Sequence, residues 1–207
     1  MKIKAKIKVL PHGIEVQSKN YVRNNSLKKA IFFSRIHEKK GLLELVESWK
    51  KLNNLGWILE IYGPVSNKNY FSLVKKKIDE LDISKKVKIL EPVYNKKKKE
   101  EILSNADLFI LPSKSENFGM SIGEAMSFGI PVLTTTATPW LIINKYQAGK
   151  IFEFSQKNLT ESLRYILDLP VAELSRMGNN AKKLVEQNYN FPKIIKQYID
   201  FYTEILK

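Results

Sequence analysis

The stretch Ser115 to Met126, SENFGMSIGEAM, sets two glutamates, Glu116 and Glu124, eight residues apart on either side of a glycine turn. Carboxylates in such a place can work as an acid and a base, or they can accept hydrogen bonds from the hydroxyls of a ligand. Phe118-Gly119 supplies a turn in which backbone approaches a ligand closely, and the amides of Gly119, Met120 and Ser121 then point forward at the N-terminus of the next helix. The turn and about one turn of helix separate the two glutamates. That spacing disfavours a close acid pair and suits two acceptors for hydroxyls at opposite ends of a ligand along the helix mouth. The residues alone leave a second reading open, in which Glu116 caps the helix and Glu124 is an ordinary helical glutamate.

Two other segments carry candidate chemistry. Ser34-Arg35-Ile36-His37-Glu38-Lys39-Lys40-Gly41 brings a guanidinium and an ammonium to a helix start. With free backbone N–H groups they would form a pyrophosphate site, although arginine and lysine at helix starts are common on surfaces. TTTATPW, from Thr134 to Trp140, offers hydroxyls and small residues that suit a phosphate or a sugar edge, or simply a polar loop.

The elements that must position these segments alternate strand and helix. KAIFFS is a short β-rich run, after which Leu42, Leu45, Val46, Trp49 and Leu52 recur at helical spacing. GWILEIYGP is a second strand ended by Gly63-Pro64, and NYFSLVKKKIDELD a second helix. KVKIL is a third strand, followed by a short helix from Lys97 to Asn105; ADLFILPS is a fourth, doubly buried strand that leads into the helix near Gly119. IPVLTTT and GKIFEF complete the series. Strands separated by helix-length segments imply parallel βαβ units with right-handed crossovers, hence a doubly wound α/β sheet. In such a sheet ligands bind outside the carboxyl ends of strands, where all three segments lie.

The ends differ from this middle. Residues 1–25 hold one alternating strand and a turn-rich linker, LPHGIEVQSKNYVRNNS; residues 26–190 form the α/β domain; residues 191–207 form a final helix begun by Pro192. That helix carries apolar residues on more than one face, among them Ile194, Ile195, Ile199 and Tyr202. The patch KKKKEE at Lys96–Glu101 reads as a solvated first helical turn.

Composition narrows the partners. The chain of 207 residues has 35 basic and 21 acidic residues and a formal net charge of +14, which favours anionic partners, although scattered lysines also fit a compositional bias. Nucleic acid lacks support, because no interleaving of aromatics with arginine appears. There are no cysteines, and the two histidines, His12 and His37, are far apart, so metal-free chemistry is expected. No run approaches the ~18 apolar residues of a membrane span, and MKIKAKIKVLP alternates lysine with apolar residues where a signal peptide would be continuously apolar; an intracellular chain is expected.

Taken together and in this order, FFSRIHEKKGLLELVESW, ILEIYGP, NADLFILPSKSENFGMSIGEAMSFGIPVLTT and LPHGIE resemble the C-terminal, nucleotide-sugar-binding domain of GT-B fold, family-4-type retaining glycosyltransferases. LPHGIE is similar to that family's Pro-Asn-Gly linker with His12 in the Asn place, and TPW after the fifth strand resembles a subgroup found in bacterial surface polysaccharide and lipopolysaccharide pathways. The resemblance implies a single Rossmann-like sheet, the C-terminal half of a GT-B fold, with C-terminal helices. It implies that Arg35 and Lys40 bind the donor diphosphate and stabilise the leaving group. Glu116 would bind donor-sugar hydroxyls, helped by Asn117, Phe118, Gly119, Met120 and Ser121; Glu124 would bind the ribose. Ser34 and Gly63 would line the donor site, and Pro92, Val93 and Tyr94 the base pocket. Retention in such enzymes is explained by attack on the face from which the leaving group departs, the leaving phosphate taking the acceptor proton. Neither glutamate then acts as a hydrolase-type acid or nucleophile, and neither a metal nor a cofactor is required beyond a UDP- or GDP-sugar donor.

Enzymes of that kind have a second, N-terminal domain with the acceptor site, of which only KIKAKIKVLP is expected here. The resemblance thus implies a saccharide or lipid-linked acceptor, an N-terminal domain or partner chain, and a cytoplasmic location with peripheral contact at the inner face of the membrane. A non-catalytic sugar-nucleotide binding module is the alternative reading.

Overall fold

A computed structural model describes residues 7–18, 27–52 and 56–206. Six strands run β1 (Lys28–Phe33), β2 (Trp57–Tyr62), β3 (Val87–Leu90), β4 (Leu108–Leu111), β5 (Val132–Thr135) and β6 (Gly149–Phe152). They form one parallel sheet in the order β3-β2-β1-β4-β5-β6. Each coincides with a predicted strand. β2, β4 and β5 are buried along their whole length, so they read as continuous apolar runs rather than alternating ones.

The intervening helices are α1 (Leu42–Lys51), α2 (Lys68–Glu80), α3 (Lys96–Ser104), α4 (Met120–Ser127), α5 (Ile142–Tyr146), α6 (Gln156–Leu167), α7 (Val171–Asn188) and α8 (Phe191–Ile205). α1 turns Leu42, Leu45, Val46 and Trp49 inward, as their spacing predicts. α5 and α6 are not among the elements expected above; in α6 Leu159, Leu163 and Ile166 bury one face, and Ser48 Oγ meets Thr160 Oγ1 across the α1–α6 contact at 2.9 Å.

The chain moves outward from β1 to β3 and then returns to β4 on the other side of β1. This reversal opens a crevice at the carboxyl ends of β1 and β4, because their connections leave in opposite directions. Gly63, at the end of β2, closes up the floor beside it. A Cβ there would lie 1.8 Å from the Ser34 carbonyl oxygen, so the β2 and β1 ends approach only because the side chain is missing.

Most of the predicted N-terminal strand falls on residues 1–6, outside the described residues, and Ile7–Leu10 form no strand. The predicted linker does not hang free. Ile14 is buried, its amide donates to the Tyr189 carbonyl at 2.7 Å and its carbonyl accepts from Phe191 N–H at 3.1 Å, pinning Gly13–Ile14 to the start of α8. α8 buries Ile194 but leaves Ile195, Ile199, Tyr202 and Ile205 exposed.

Replacing Gly63 with alanine is expected to destabilise the domain by about 1–3 kcal/mol, since the Ser34 backbone must shift to admit the methyl group. Urea unfolding of the variant against wild type measures this.

Candidate functional site

Gly41 is the residue that lets the β1 side of the crevice form. It has φ 67° and ends the short 3-10 turn Glu38–Lys40, and a Cβ there would meet the Pro112 carbonyl at 2.2 Å. The Lys39 backbone thereby lies against the end of β4: its carbonyl accepts from Lys114 N–H at 2.7 Å and from Ser113 Oγ at 3.0 Å. The segments that follow β1 and β4 are stitched together by these contacts.

Across the seam Lys40 Nζ hydrogen-bonds Glu116 Oε1, although the residues are 76 positions apart. Both side chains are close to nine-tenths buried, at 11% and 10% exposure, so each charge depends on the other. Glu116 is therefore not a helix cap. α4 begins at Gly119 with no side-chain cap, which leaves its first-turn amides facing the crevice. One turn and a little more along α4, Glu124 Oε2 lies 2.6 Å from Lys99 Nζ of α3.

These groups line one cleft of about 790 Å³. It brings together Ser34, Arg35, Lys40, Glu116 and Glu124 with Asn117–Ser121, all candidates from the sequence. Arg35 forms no ion pair among the described residues, so its guanidinium is available for an anion. His12, Phe33, His37, Lys39 and Lys99 also line the cleft. Lys99 belongs to the KKKKEE patch. Its signal was the helical offset of four from Leu103, the buried residue of α3, which places both on the inward face.

Other candidates lie elsewhere. Gly63 does not line the cleft and acts beneath it, against Ser34. Pro92 and Val93 border a separate cavity of about 480 Å³ with Tyr62 and Ile102. There the Tyr62 hydroxyl donates to Glu60 Oε2 at 2.7 Å; burial first, then that bond and the Glu60 charge, push the phenol above the usual tyrosine range. Tyr94, largely exposed, borders this cavity and a third, of about 650 Å³, between α3 and α4. None of the TTTATPW threonines lines the cleft: Thr134, Thr135 and Thr138 are buried and donate to the carbonyls of Leu111, Ser113 and Thr135, and Thr136 is exposed outside it.

Trp140 of that segment props the turn from behind. Its indole N–H donates to the Phe118 carbonyl at 2.5 Å, and its ring packs against Phe118 and Tyr189 with centroids 5.1 and 4.7 Å away. His12 closes on the other edge of Phe118 at 5.1 Å. Aromatic contacts of this kind fix the backbone whose amides open the helix.

A family model described as "Glycosyl transferases group 1" matches residues 13–184. The capsular polysaccharide biosynthesis glycosyltransferase CapM of Staphylococcus aureus is 26% identical over 184 residues, covering 85% of this chain and 46% of that protein. The chain spans about half the length of the curated relatives it matches. Among solved structures, sucrose-phosphate synthase from Thermosynechococcus elongatus superposes with a TM-score of 0.84 at 17% identity, over 96% of this chain and 52% of that one. Anabaena Alr3699/HepE in complex with UDP and glucose does so with 0.77 at 18%, over 86% and 49%. These structural likenesses concern the fold.

Lys40→Met or Glu116→Gln alone is expected to cost about 1–3 kcal/mol, by leaving one polar group without its partner. The double variant should recover part of that loss, giving a coupling of about 1 kcal/mol or more in a double-mutant cycle read by urea unfolding.

Proposed function

Because the chain belongs to the glycosyl transferases group 1 family, we propose that it is the donor-binding half of a retaining GT-B glycosyltransferase that takes a nucleoside diphosphate sugar, UDP- or GDP-linked. The observation that carries this reading is the convergence of Arg35, Lys40, the uncapped α4 amides and two separated carboxylates in one cleft. An anionic diphosphate needs the first three and a polyhydroxylated ligand needs the last two.

Arg35 and Lys40 hold the diphosphate and oppose the charge that grows on it as the glycosidic bond breaks, with the amides at Met120 and Ser121 adding fixed dipoles. Lys40 exchanges part of its contact with Glu116 for phosphate, and Glu116 turns its oxygens to the donor-sugar hydroxyls. Glu124, further along the helix, accepts from the ribose. The acceptor hydroxyl attacks from the side on which the diphosphate leaves and passes its proton to the departing phosphate oxygen. The protein's part is thus positioning and charge stabilisation.

The acceptor, saccharide or lipid-linked, is assigned to a partner domain or chain that completes the enzyme, in keeping with matches that span 44–49% of three longer relatives. The name of CapM supports a place in surface polysaccharide synthesis. Among the described residues no helix is long and apolar enough to cross a membrane; the excess of lysine favours peripheral contact with an anionic cytoplasmic leaflet.

Calorimetric titration with UDP- and GDP-sugars tests the proposal, and a folded protein that binds neither would overturn it. Glu116→Ala is expected to weaken nucleotide-sugar binding about ten- to hundredfold while changing binding of the free nucleotide little. Glu124→Ala should weaken both by similar factors, and equal behaviour of the two variants would contradict this division of labour.

A further inference from the structure

Four consecutive lysines open α3, and they do not behave alike. Lys97 and Lys98 point to solvent, Lys98 pairing with Glu101 at 3.0 Å, and Lys96 reaches Glu15 of the linker at 2.8 Å. Lys99 turns the other way. Its Nζ lies 2.6 Å from Glu124 Oε2 and 5.5 Å from the centroid of Phe33, so the ammonium is held between a carboxylate on α4 and an aromatic face at the end of β1. The side chains of Lys99 and Glu124 are 29% and 32% exposed, accessible to a ligand yet shielded from free solvation.

The position is also a junction. Lys99, Met120 and Glu124 line both the 790 Å³ cleft and the 650 Å³ cavity between α3 and α4, so a ligand extending from one into the other passes the Lys99 ammonium. Each carboxylate oxygen accepts from two donors, so a Glu124 held through Oε2 keeps Oε1 and a further lone pair of Oε2 for a vicinal diol. Freed of Lys99, the same side chain would sample several rotamers on the helix surface.

We infer that Lys99 is a positioning residue of the nucleotide site: it holds Glu124 in the orientation that accepts the ribose hydroxyls, with its own charge facing the junction of nucleoside and diphosphate. This rests on the nucleotide-sugar reading above. A merely structural pair between α3 and α4 would add little to the stability of the fold and leave ligand selectivity unchanged.

Selectivity between ribose and 2′-deoxyribose separates the two roles. Calorimetry with UDP, GDP and their 2′-deoxy counterparts is expected to show the wild-type chain preferring the ribonucleotide by about tenfold. Lys99→Met should lower ribonucleotide affinity about tenfold and bring that preference close to one, with Lys99→Gln as a second test and Lys99→Arg restoring most of it. A folded Lys99→Met or Lys99→Gln protein that keeps the wild-type preference overturns the inference, whatever its affinity. Wild-type protein that binds no nucleoside diphosphate overturns the underlying reading and this inference with it, whereas wild-type binding with unchanged variants overturns only the role of Lys99.

Discussion

Everything at the site follows from one reversal of direction in the sheet. β1 is the first strand among the described residues, yet it stands in the middle, with β2 and β3 to one side and β4 to β6 on the other. The loops after β1 and β4 therefore diverge onto opposite faces, and the gap between them is the place where backbone amides, a guanidinium, an ammonium and two carboxylates converge. Glycine 41 is what narrows that gap, because only a residue without a Cβ passes so near the Pro112 carbonyl. Residues 76 apart in sequence thus become hydrogen-bonded neighbours.

Both carboxylates of the cleft are paired within it, and its cations outnumber them. Lys40 with Glu116 and Lys99 with Glu124 form two ion pairs in which a cation and a carboxylate hold one another in place, while Arg35 forms no ion pair among the described residues. A site for a ligand that is anionic at one end and rich in hydroxyls at the other needs both kinds of group, and on the proposed reading cross-pairing would keep each oriented until such a ligand competed for it. Behind this surface Trp140, Phe118, Tyr189 and His12 form an aromatic brace, joined by the docked Gly13–Ile14 segment. The brace ties the linker to the turn that exposes the α4 amides.

Much of this was legible in the chain. All six strands coincide with β-rich runs, because buried parallel strands advertise themselves as continuous apolar stretches bounded by turns. The Ser34–Gly41 and Ser115–Met126 segments were readable because the topology places every strand's carboxyl end on one edge. What escaped reading depends on tertiary contact. Whether Thr134, Thr135 and Thr138 faced a ligand or their own backbone could not be told from composition, and burial spends all three hydroxyls on carbonyls. Gly63 was legible as special but not as a packing glycine under Ser34. Lys99 was hidden in a run of identical residues, where charge suggested solvent and only its offset from Leu103 marked the inward face. α6 carried a helical signature in Ser155, Leu159, Leu163 and Ile166, without a motif to draw attention to it.

The junction of β1 with β4 also bears on how the domain assembles. Its register pairs Ala30 with Leu108 and Ile31 with Phe109, whereas the pairings outward from β1 to β3 and from β4 to β6 join strands much nearer in sequence. Closing the longer loop costs more chain entropy, so the two three-strand halves can gain order before they meet. The cleft comes into existence only at that meeting, and a ligand spanning it would clasp the halves together. Occupancy at a hundred times the dissociation constant would add about 2.7 kcal/mol to the stability of the joined state.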